Sequence, residues 1–571
     1  MKKSTYSHAR RFPLAFEALE SRVLYDAVAD VKVSVVEEQF INEDVTFQID
    51  FDNTGDATGY APYVDFIAPP ELAIKGVVVA GAPALNPDGS SVTPIGQIAA
   101  DGQLVGITSG LPVDHPMFKN PSDGGSYGLA GSATAPVLYD TAGNPDLVGM
   151  YVYSVQLPFG SFTEGNPPAS VSVTTSLDKS NGIIPHQEVV AYAQGGFAYG
   201  SDALHNPATD FPIASGLDSD GVTPLVIDLN KDASVPEMDG PYTGENASGP
   251  NHQITYSLTV RLADGEEVNN LVIQDFLPDD LAFTGNLTVT FGSGTGGSKN
   301  LSIEDEPELN TDGVTGTDPA NNRLRLTVDN IIGSGGNDIT VTYTAFVPYK
   351  EADGTLVVNA VTGEQNDLAD DEYNDASVTA DYDRDGAGPA PTLVIGDDEG
   401  PMNPFTTLQS FDSDTDFRIE EHSIATQKDV AIAPGGDRGV IGTLNSSDVL
   451  EYTINFQISD YFAFTDVVFD DVMGDGQEFL PALDPSSTWF NAGDFSQDPE
   501  EIRPEVTFTM HGASITVAFD EANFSAIEHP DGSTSIHFNV YQQLVDSGFL
   551  VSGDPMLGGF IAPSGTAPAD L

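Results

Sequence analysis

The feature that most limits the possible folds is a strand pattern that returns at a fixed distance along the chain. In NHQITYSLTVR, Ile254, Tyr256, Leu258 and Val260 alternate with Thr255, Ser257 and Thr259. In DVLEYTINFQIS, Leu450, Tyr452, Ile454, Phe456 and Ile458 alternate with polar residues in the same way. Successive side chains of a strand point to opposite faces, so a period of two marks strands with one buried face. Tyr256 and Tyr452 are 196 residues apart, as are Asp275 in VIQDFLPDDL and Asp471 in VFDDVMGDG. Lys231 in NKDASV and Lys428 in QKDVAI are 197 apart, and so are Ile339, Val341 and Tyr343 of ITVTYTAF and Ile536, Phe538 and Val540 of IHFNVYQQ. An offset held over more than 100 residues predicts two copies of one domain.

A more diverged copy precedes them. Val45, Phe47, Ile49 and Phe51 of DVTFQIDFDNTG alternate likewise, and YVDFIAPPEL places Asp65 where VIQDFLPDDL has Asp275. MYVYSVQLPFGS is assigned to the position of ITVTYTAF, with an insertion between Asp65 and Tyr151. The expected organisation is an N-terminal segment over 1–28, repeat one over 29–212, repeat two over 222–382, an acidic Gly/Pro linker over 383–420, and a third repeat, expected to be incomplete, over 421–571. Turn-forming runs near DFPIASGLDSDGVT and DYDRDGAGPAPTLVIGDDEGPMNP mark the boundaries. Short alternating strands separated by loops such as GSGTGGS predict an all-β chain of tandem immunoglobulin-like β-sandwich domains. A short N-terminal helix precedes them, with Phe16, Leu19, Val23 and Leu24 along one side.

Charge narrows the function classes. The 571 residues include 87 acidic and 20 basic ones, for a net charge of −67, while 40% apolar residues suffice for folded cores. A surface this acidic repels nucleic acid and anionic membranes, so nucleic-acid binding is excluded as an expectation. Adaptation to salt is compatible with the same acidity. The absence of cysteine excludes disulfides, thiolate metal sites and cysteine nucleophiles. No apolar run approaches the roughly 18 residues that a bilayer span requires, so no direct membrane span is expected. Residues 1–22 carry Lys2, Lys3, Arg10, Arg11 and Arg22 against Glu17 and Glu20, a local excess of +3, whereas the remaining 549 residues carry −70.

That basic lead ends in FEALESRVLYDA, which resembles the N-terminal motif F-E-x-L-E-P-R-x-L-L-x-A of many very large bacterial exoproteins. Phe16, Glu17, Leu19, Glu20, Arg22, Leu24 and Ala27 match, while Ser21 replaces the proline and Tyr25 the second leucine. The resemblance implies export, with an extracellular or cell-surface location. Leu571 follows soon after the last expected strands, without a sorting signal, and the chain is expected to be the front of something longer.

Apolar alternation followed by D-x-L-P-x-x-L, a closing N-A and a polar N-D-A is similar to the tandem repeats of bacterial surface proteins and fimbrial backbones. Repeat two carries Tyr256, Asp275, Leu277, Pro278, Leu281, Asn359-Ala360 and Asn374. Some relatives of this kind crosslink themselves: a buried, neutral lysine amine attacks an asparagine carboxamide beside a protonated acid, and ammonia leaves. The resemblance implies Lys231, Asp275 and Asn359 for these roles. The plainer reading, in which Lys231 is a solvated strand end beside Asp232, Asp275 a turn residue and Asn359 a strand-end hydrogen bonder, is preferred. Repeat one has Ala191 in VVAYA where VVNAV has Asn359, and repeat three has Ser552-Gly553.

DYDRDG places Asp381, Asp383 and Asp385 at the first, third and fifth positions of a calcium loop, with Gly386 at the sixth and Thr392 in place of the twelfth-position glutamate. Ca²⁺ is the one cofactor this spacing offers, with a solvated acidic linker as the slightly preferred reading. Asp412, Asp414 and Asp416 offer a weaker set without the glycine. No H-E-x-x-H, G-x-S-x-G or phosphate-loop pattern occurs, and a lone Trp489 offers little platform for sugars. The expected function is therefore a non-enzymatic structural or adhesive surface protein, its sandwiches acting as spacers or binding modules. Its partners would be cell-surface or extracellular matrix components, polysaccharide or another cell. A secreted polysaccharide-active enzyme with its site in the insertion of repeat one, or the carbohydrate-binding accessory region of such an enzyme, is the alternative.

Overall fold

The alternating segments form strands, and the strands pair into two-layer sandwiches. A computed structural model describes residues 27–558 except 85–90, 101–103, 106–142, 200–212, 236–242, 279, 306–322, 352–353, 367–372, 384–391, 397–416, 433–449, 475–476, 478–503, 511–512 and 521. The N-terminal helix, Asp385, the Asp412–Asp416 set and most of the insertion of repeat one lie outside these residues. The chain divides into two compact units, Met1–Val226 and Ile227–Leu571.

In the first unit one sheet runs in the order Ala29–Ser34, Asp44–Asn53, Ala169–Ser176, Ala73–Val79. The other runs Glu38–Phe40, Asp218–Leu225, Val189–Tyr199, Gly59–Ala68, Tyr151–Gln156, Gly96–Ile98. Phe47, Ile49 and Phe51 of the first sheet are fully buried. Phe47 meets Phe66 of the second sheet at 5.4 Å between ring centroids, and Phe51 meets Phe197 at 5.3 Å. Each such side chain contributes about 1.5–3 kcal/mol by leaving water.

The second repeat follows the same plan. Its first sheet runs Ile227–Ala233, Ile254–Leu262, Asn337–Phe346, and its second runs Thr243–Ala247, Phe417–His422, Tyr373–Tyr382, Glu267–Phe276, Arg323–Ile332, Leu301–Asp305. Among the described residues a parallel pairing recurs as well: Glu38–Phe40 with Asp218–Leu225 in repeat one, Thr243–Ala247 with Phe417–His422 in repeat two. Ile254, Tyr256, Leu258, Val260 and Leu262 are fully buried while Thr255, Ser257 and Thr259 face outward, as the alternation requires.

This pairing corrects four sequence assignments. Tyr151–Gln156 pairs with Gly59–Ala68, so it corresponds to Arg323–Ile332, and Ala169–Ser176 is the counterpart of ITVTYTAF. Thr534–Asn539, expected as the ITVTYTAF strand of repeat three, pairs with Val468–Met473 and also corresponds to Arg323–Ile332. A period of two is common to every half-buried strand, so it does not say which sheet a strand joins. Residues 218–225 pair within repeat one, which moves the start of repeat two to Ile227. The expected linker 383–420 contains Thr392–Gly396 and the start of Phe417–His422, both paired to Tyr373–Tyr382.

Repeats two and three are joined by a strand that continues from one into the other. Phe417–His422 closes a sheet of repeat two, and after Ser423 alone the chain enters Ile424–Ile432 of repeat three. Around this joint the Ser423 N–H donates to Gly363 O at 2.8 Å, and the Ser248 and Ser459 hydroxyls lie 2.6 Å apart. The fully buried Asp460 carboxylate accepts from Asn251 N at 2.7 Å and from its Nδ2 at 3.2 Å. Gly249, at φ 130°, makes this approach possible: a Cβ there would lie 2.2 Å from Asp460 Oδ2. Among the described residues no helix is long and apolar enough to cross a membrane.

Two outcomes follow from these packings. Asp460→Ala leaves the Asn251 N–H without its acceptor and should destabilise repeat three by about 1–3 kcal/mol, read as a lowered melting transition in calorimetry. In the first unit, burial brings the His186 imidazole down from 6.5 to about 4, and its Nε2 accepts from Val226 N at 3.5 Å. The unfolded chain takes up this proton near its ordinary value while the folded unit resists it. Stability is therefore full above about pH 6.5 and falls with acid toward about pH 4, by about 3 kcal/mol at most. Hydrogen exchange of the Val189–Tyr199 amides, corrected for intrinsic rates, should show this loss. His186→Asn, compatible with the φ of 55° at this position, should flatten it.

Candidate functional site

Four side chains meet between the sheets of repeat two, each delivered by a different strand. In Ile227–Ala233 the alternation turns Ile227, Leu229 and Lys231 inward and Asn230 and Asp232 outward. Lys231 lies opposite Leu258 in the neighbouring strand. Asp275, near the end of Glu267–Phe276, lies opposite Leu324 on one side and Ala376 on the other. Tyr343 lies opposite Tyr256, and their rings stack at 5.2 Å. Asn374 begins the inward set Asn374, Ala376, Val378, Ala380 and Tyr382 of the last long strand.

These groups close a ring of hydrogen bonds. Lys231 Nζ donates to Asp275 Oδ1 at 2.7 Å and to the backbone O of Asn374. The Tyr343 hydroxyl donates to Asp275 Oδ2 at 2.7 Å and accepts from Asn374 Nδ2 at 2.9 Å. The side chains of Lys231 and Asp275 are both 0% exposed. Among the described residues, the buried Asn374 Oδ1 has no hydrogen-bond partner. Desolvation raises the Asp275 carboxyl above its ordinary range, opposed by the Lys231 charge and by its hydrogen bonds to Lys231 and Tyr343. Burial likewise lifts the Tyr343 phenol well above 10. A raised acid beside a sealed lysine favours sharing or moving the proton over keeping two full charges out of water.

The structure therefore brings Lys231 and Asp275 together, as the crosslink pattern implies, and replaces the plainer reading of both. Lys231 is 2% exposed, and the neighbouring Asp232 points outward because successive strand residues alternate. Asn359 is not at the site. It sits in a turn, where its Oδ1 accepts from Val361 N at 2.8 Å and Thr362 N at 3.2 Å, and its Nδ2 donates to Asn366. The asparagine beside Lys231 is Asn374. Its sequence signal is the inward alternation of NDASVTADY. VVAYA belongs to Val189–Tyr199, the counterpart of the Asn374 strand.

The other repeats hold parts of the arrangement. In repeat one Asp65 is buried, but Lys32, on the strand corresponding to that of Lys231, is exposed. In repeat three Lys428 Nζ contacts both oxygens of Asp471 at 2.6 and 2.8 Å, with side-chain exposures of 38% and 15%. The Lys428 ammonium stands 4.6 Å from the Tyr452 ring centroid, as Lys231 stands 5.4 Å from that of Tyr256.

Of the residues considered for calcium, Asp381 lies in a strand and its Oδ2 accepts from Asn270 Nδ2 at 2.8 Å; Asp383 follows that strand and is exposed. Among the described residues no three acidic or histidine side chains converge as a metal site.

No family model matches the chain, and no curated protein matches it. Solved structures similar to it include the C-terminal domain of the Streptococcus pyogenes antigen I/II-family protein AspA, at 8% identity and a TM-score of 0.19, covering 69% of this chain and 99% of that one. A putative membrane anchored protein from Corynebacterium diphtheriae matches at 8% identity and a TM-score of 0.19, covering 69% and 95%. BcpA, the major pilin subunit of Bacillus cereus, matches at 8% identity and a TM-score of 0.19, covering 52% and 78%. Superpositions this loose carry no argument about function.

Proposed function

We propose that the protein is an extracellular structural or adhesive repeat protein of a bacterial cell surface, with its second sandwich locked by an amide between Lys231 Nζ and Asn374 Cγ. The observation that carries this reading is the sealed ring of Lys231, Asp275, Tyr343 and Asn374 joining the first strand of the domain to a late one. In the reaction the Lys231 ammonium passes a proton to Asp275, and the free amine attacks Asn374 Cγ. The new C–N bond forms, the C–Nδ2 bond breaks as Asp275 passes its proton to the departing nitrogen, directly or along Tyr343, and the new amide nitrogen gives up its extra proton to the Asp275 carboxylate. The balance is one amine and one carboxamide giving one secondary amide and ammonia, with no oxidant or cofactor.

Such a bond suits a spacer. It closes a loop of about 140 residues, which by the chain-entropy account of crosslinks removes about 5 kcal/mol of freedom from the unfolded chain. Tension entering at Ile227–Ala233 and leaving at Tyr373–Tyr382 would pass through the amide, and residues between them would be spared the load. The acidic surface keeps such repeats hydrated and apart.

Intact mass spectrometry of the purified chain tests this: the mass should fall short of the sequence value by about 17 Da, and digestion should give a branched peptide joining Lys231 to Asn374. Asp275→Ala should restore the full mass. An unshifted wild-type mass would sink the crosslink.

A further inference from the structure

Amide formation in repeat two requires that a proton reach the departing nitrogen, and the core offers that proton a defined path. Asp275 Oδ1 faces Lys231 Nζ at 2.7 Å, and Oδ2 faces the Tyr343 hydroxyl at 2.7 Å. The acid therefore has one oxygen on the nucleophile and the other on the tyrosine. The nitrogen that would leave, Asn374 Nδ2, lies 2.9 Å from that same hydroxyl. Among the described residues, Asp275 makes no hydrogen bond with the Asn374 carboxamide. Acid and leaving group meet through Tyr343, over two contacts of hydrogen-bond length.

Packing holds the hydroxyl at this place. Tyr343 belongs to the inward set Ile339, Val341 and Tyr343 of Asn337–Phe346. Its ring stacks on Tyr256 at 5.2 Å and meets Phe283 at 6.2 Å, and all three rings are buried. Burial lifts the phenol well above 10, so it gives up its proton only as it takes another. Repeat one supplies an internal comparison. Asp65, the counterpart of Asp275, is buried there too. The strands corresponding to those of Lys231 and Tyr343 turn Ala29, Val31 and Val33, and Ala169, Val171 and Val173, inward. Neither of those strands sets a lysine or a tyrosine in the core, so a buried acid at this place does not by itself call for the tyrosine.

We propose that Tyr343 is a catalytic residue of amide formation, relaying the Asp275 proton to Asn374 Nδ2. This rests on the reading that Lys231 and Asn374 become joined. Asp275 takes a proton from the Lys231 ammonium on Oδ1, and rotation about Cβ–Cγ exchanges its two oxygens and turns that proton toward Tyr343. The free amine attacks Asn374 Cγ. As the C–Nδ2 bond breaks, the Tyr343 hydroxyl proton passes to Nδ2 and the Asp275 proton replaces it on the phenol oxygen. Ammonia leaves, and the Asp275 carboxylate takes the extra proton from the new amide nitrogen. Tyr343 ends as it began, and Asp275 ends protonated.

The test follows the mass of the full-length chain in samples taken at intervals after cell-free synthesis and quenched in denaturant. The wild-type chain should lose about 17 Da. Tyr343→Phe keeps the ring contacts and removes the relay. Measured against its own sequence mass, it should acquire the deficit about a hundredfold more slowly or less, the effect typical of losing a positioned acid. Tyr382→Phe is the control: its hydroxyl donates to the buried Glu266 at 2.8 Å, at the far end of the Asn374 strand. It loses an equivalent bond to a buried carboxylate away from the site and should react at the wild-type rate. A Tyr343→Phe chain that reacts as fast as wild type overturns the proposal. A difluorinated tyrosine at position 343 separates a relay from a hydroxyl that only holds Asp275 in place, because it keeps the hydroxyl and makes it more acidic. The rate should then shift several-fold, and an unchanged rate sinks the relay even where Tyr343→Phe fails to fold. A wild-type chain that keeps its full mass refutes the amide, whereas a wild-type deficit with unchanged variant rates refutes the relay alone.

Discussion

The core of repeat two is organised around an ammonium group that has no access to water. Placing a lysine amine in an apolar interior costs several kcal/mol unless every proton finds an acceptor, and Asp275 alone cannot meet that demand without its own second oxygen being satisfied. Tyr343 meets it, and the Tyr343 hydroxyl in turn takes up the Asn374 amide. The requirement thus fixes the register of four strands at once. Shifting any of them by one residue would turn its member of the ring to the outer face. A group that is costly to bury becomes the reason that these strands assemble in one way only, and the same cost drives the proton toward Asp275.

This explains what the sequence could and could not tell. Alternation at Tyr256, Leu258 and Val260 identified strands, and the 196-residue offset identified repeats, because both follow from local side-chain direction. Neither assigns a strand to a sheet, which is why MYVYSVQLPFGS and IHFNVYQQ were matched to ITVTYTAF when both belong beside the acid-bearing strand. Lys231 and Asp275 were found by their spacing in two copies. The resemblance implies Asn359, but its own neighbours, Val361 and Thr362, hold it in a turn, while the alternation that turns Asn374 inward does not by itself mark it as the partner of Lys231. Tyr343 could not be singled out: as part of an apolar alternation it looks like any core tyrosine, and only the placement of its hydroxyl between two strands gives it a role.

The strand Phe417–His422 also escaped a composition-based reading, which placed its first residues in a linker. Its partners are remote in sequence: Thr243–Ala247 lies beside it in parallel, and Tyr373–Tyr382 antiparallel. By finishing one sandwich and entering the next after a single residue, it makes the joint part of both sheets. The buried Asp460 and the paired serines then close that joint with hydrogen bonds that a free linker would lack.

The two lysine–acid pairs of the second unit, finally, separate composition from context. Lys231–Asp275 and Lys428–Asp471 pair the same residue types at nearly the same contact distance, each beside a tyrosine at the same place in the alternation, yet one pair is sealed and the other is partly wet. An ion pair as exposed as Lys428–Asp471 contributes little to stability, on the order of 0–1 kcal/mol, because water already solvates both groups. Its presence therefore does not account for the folding of repeat three, whose buried cluster is built instead from Ile458, Val467, Phe519, Val540, Tyr541 and Leu544. The difference between the pairs lies in the covering strands. In repeat two they turn an ordinary ion pair into a site with a raised acid, whereas among the described residues of repeat three no strand takes that place.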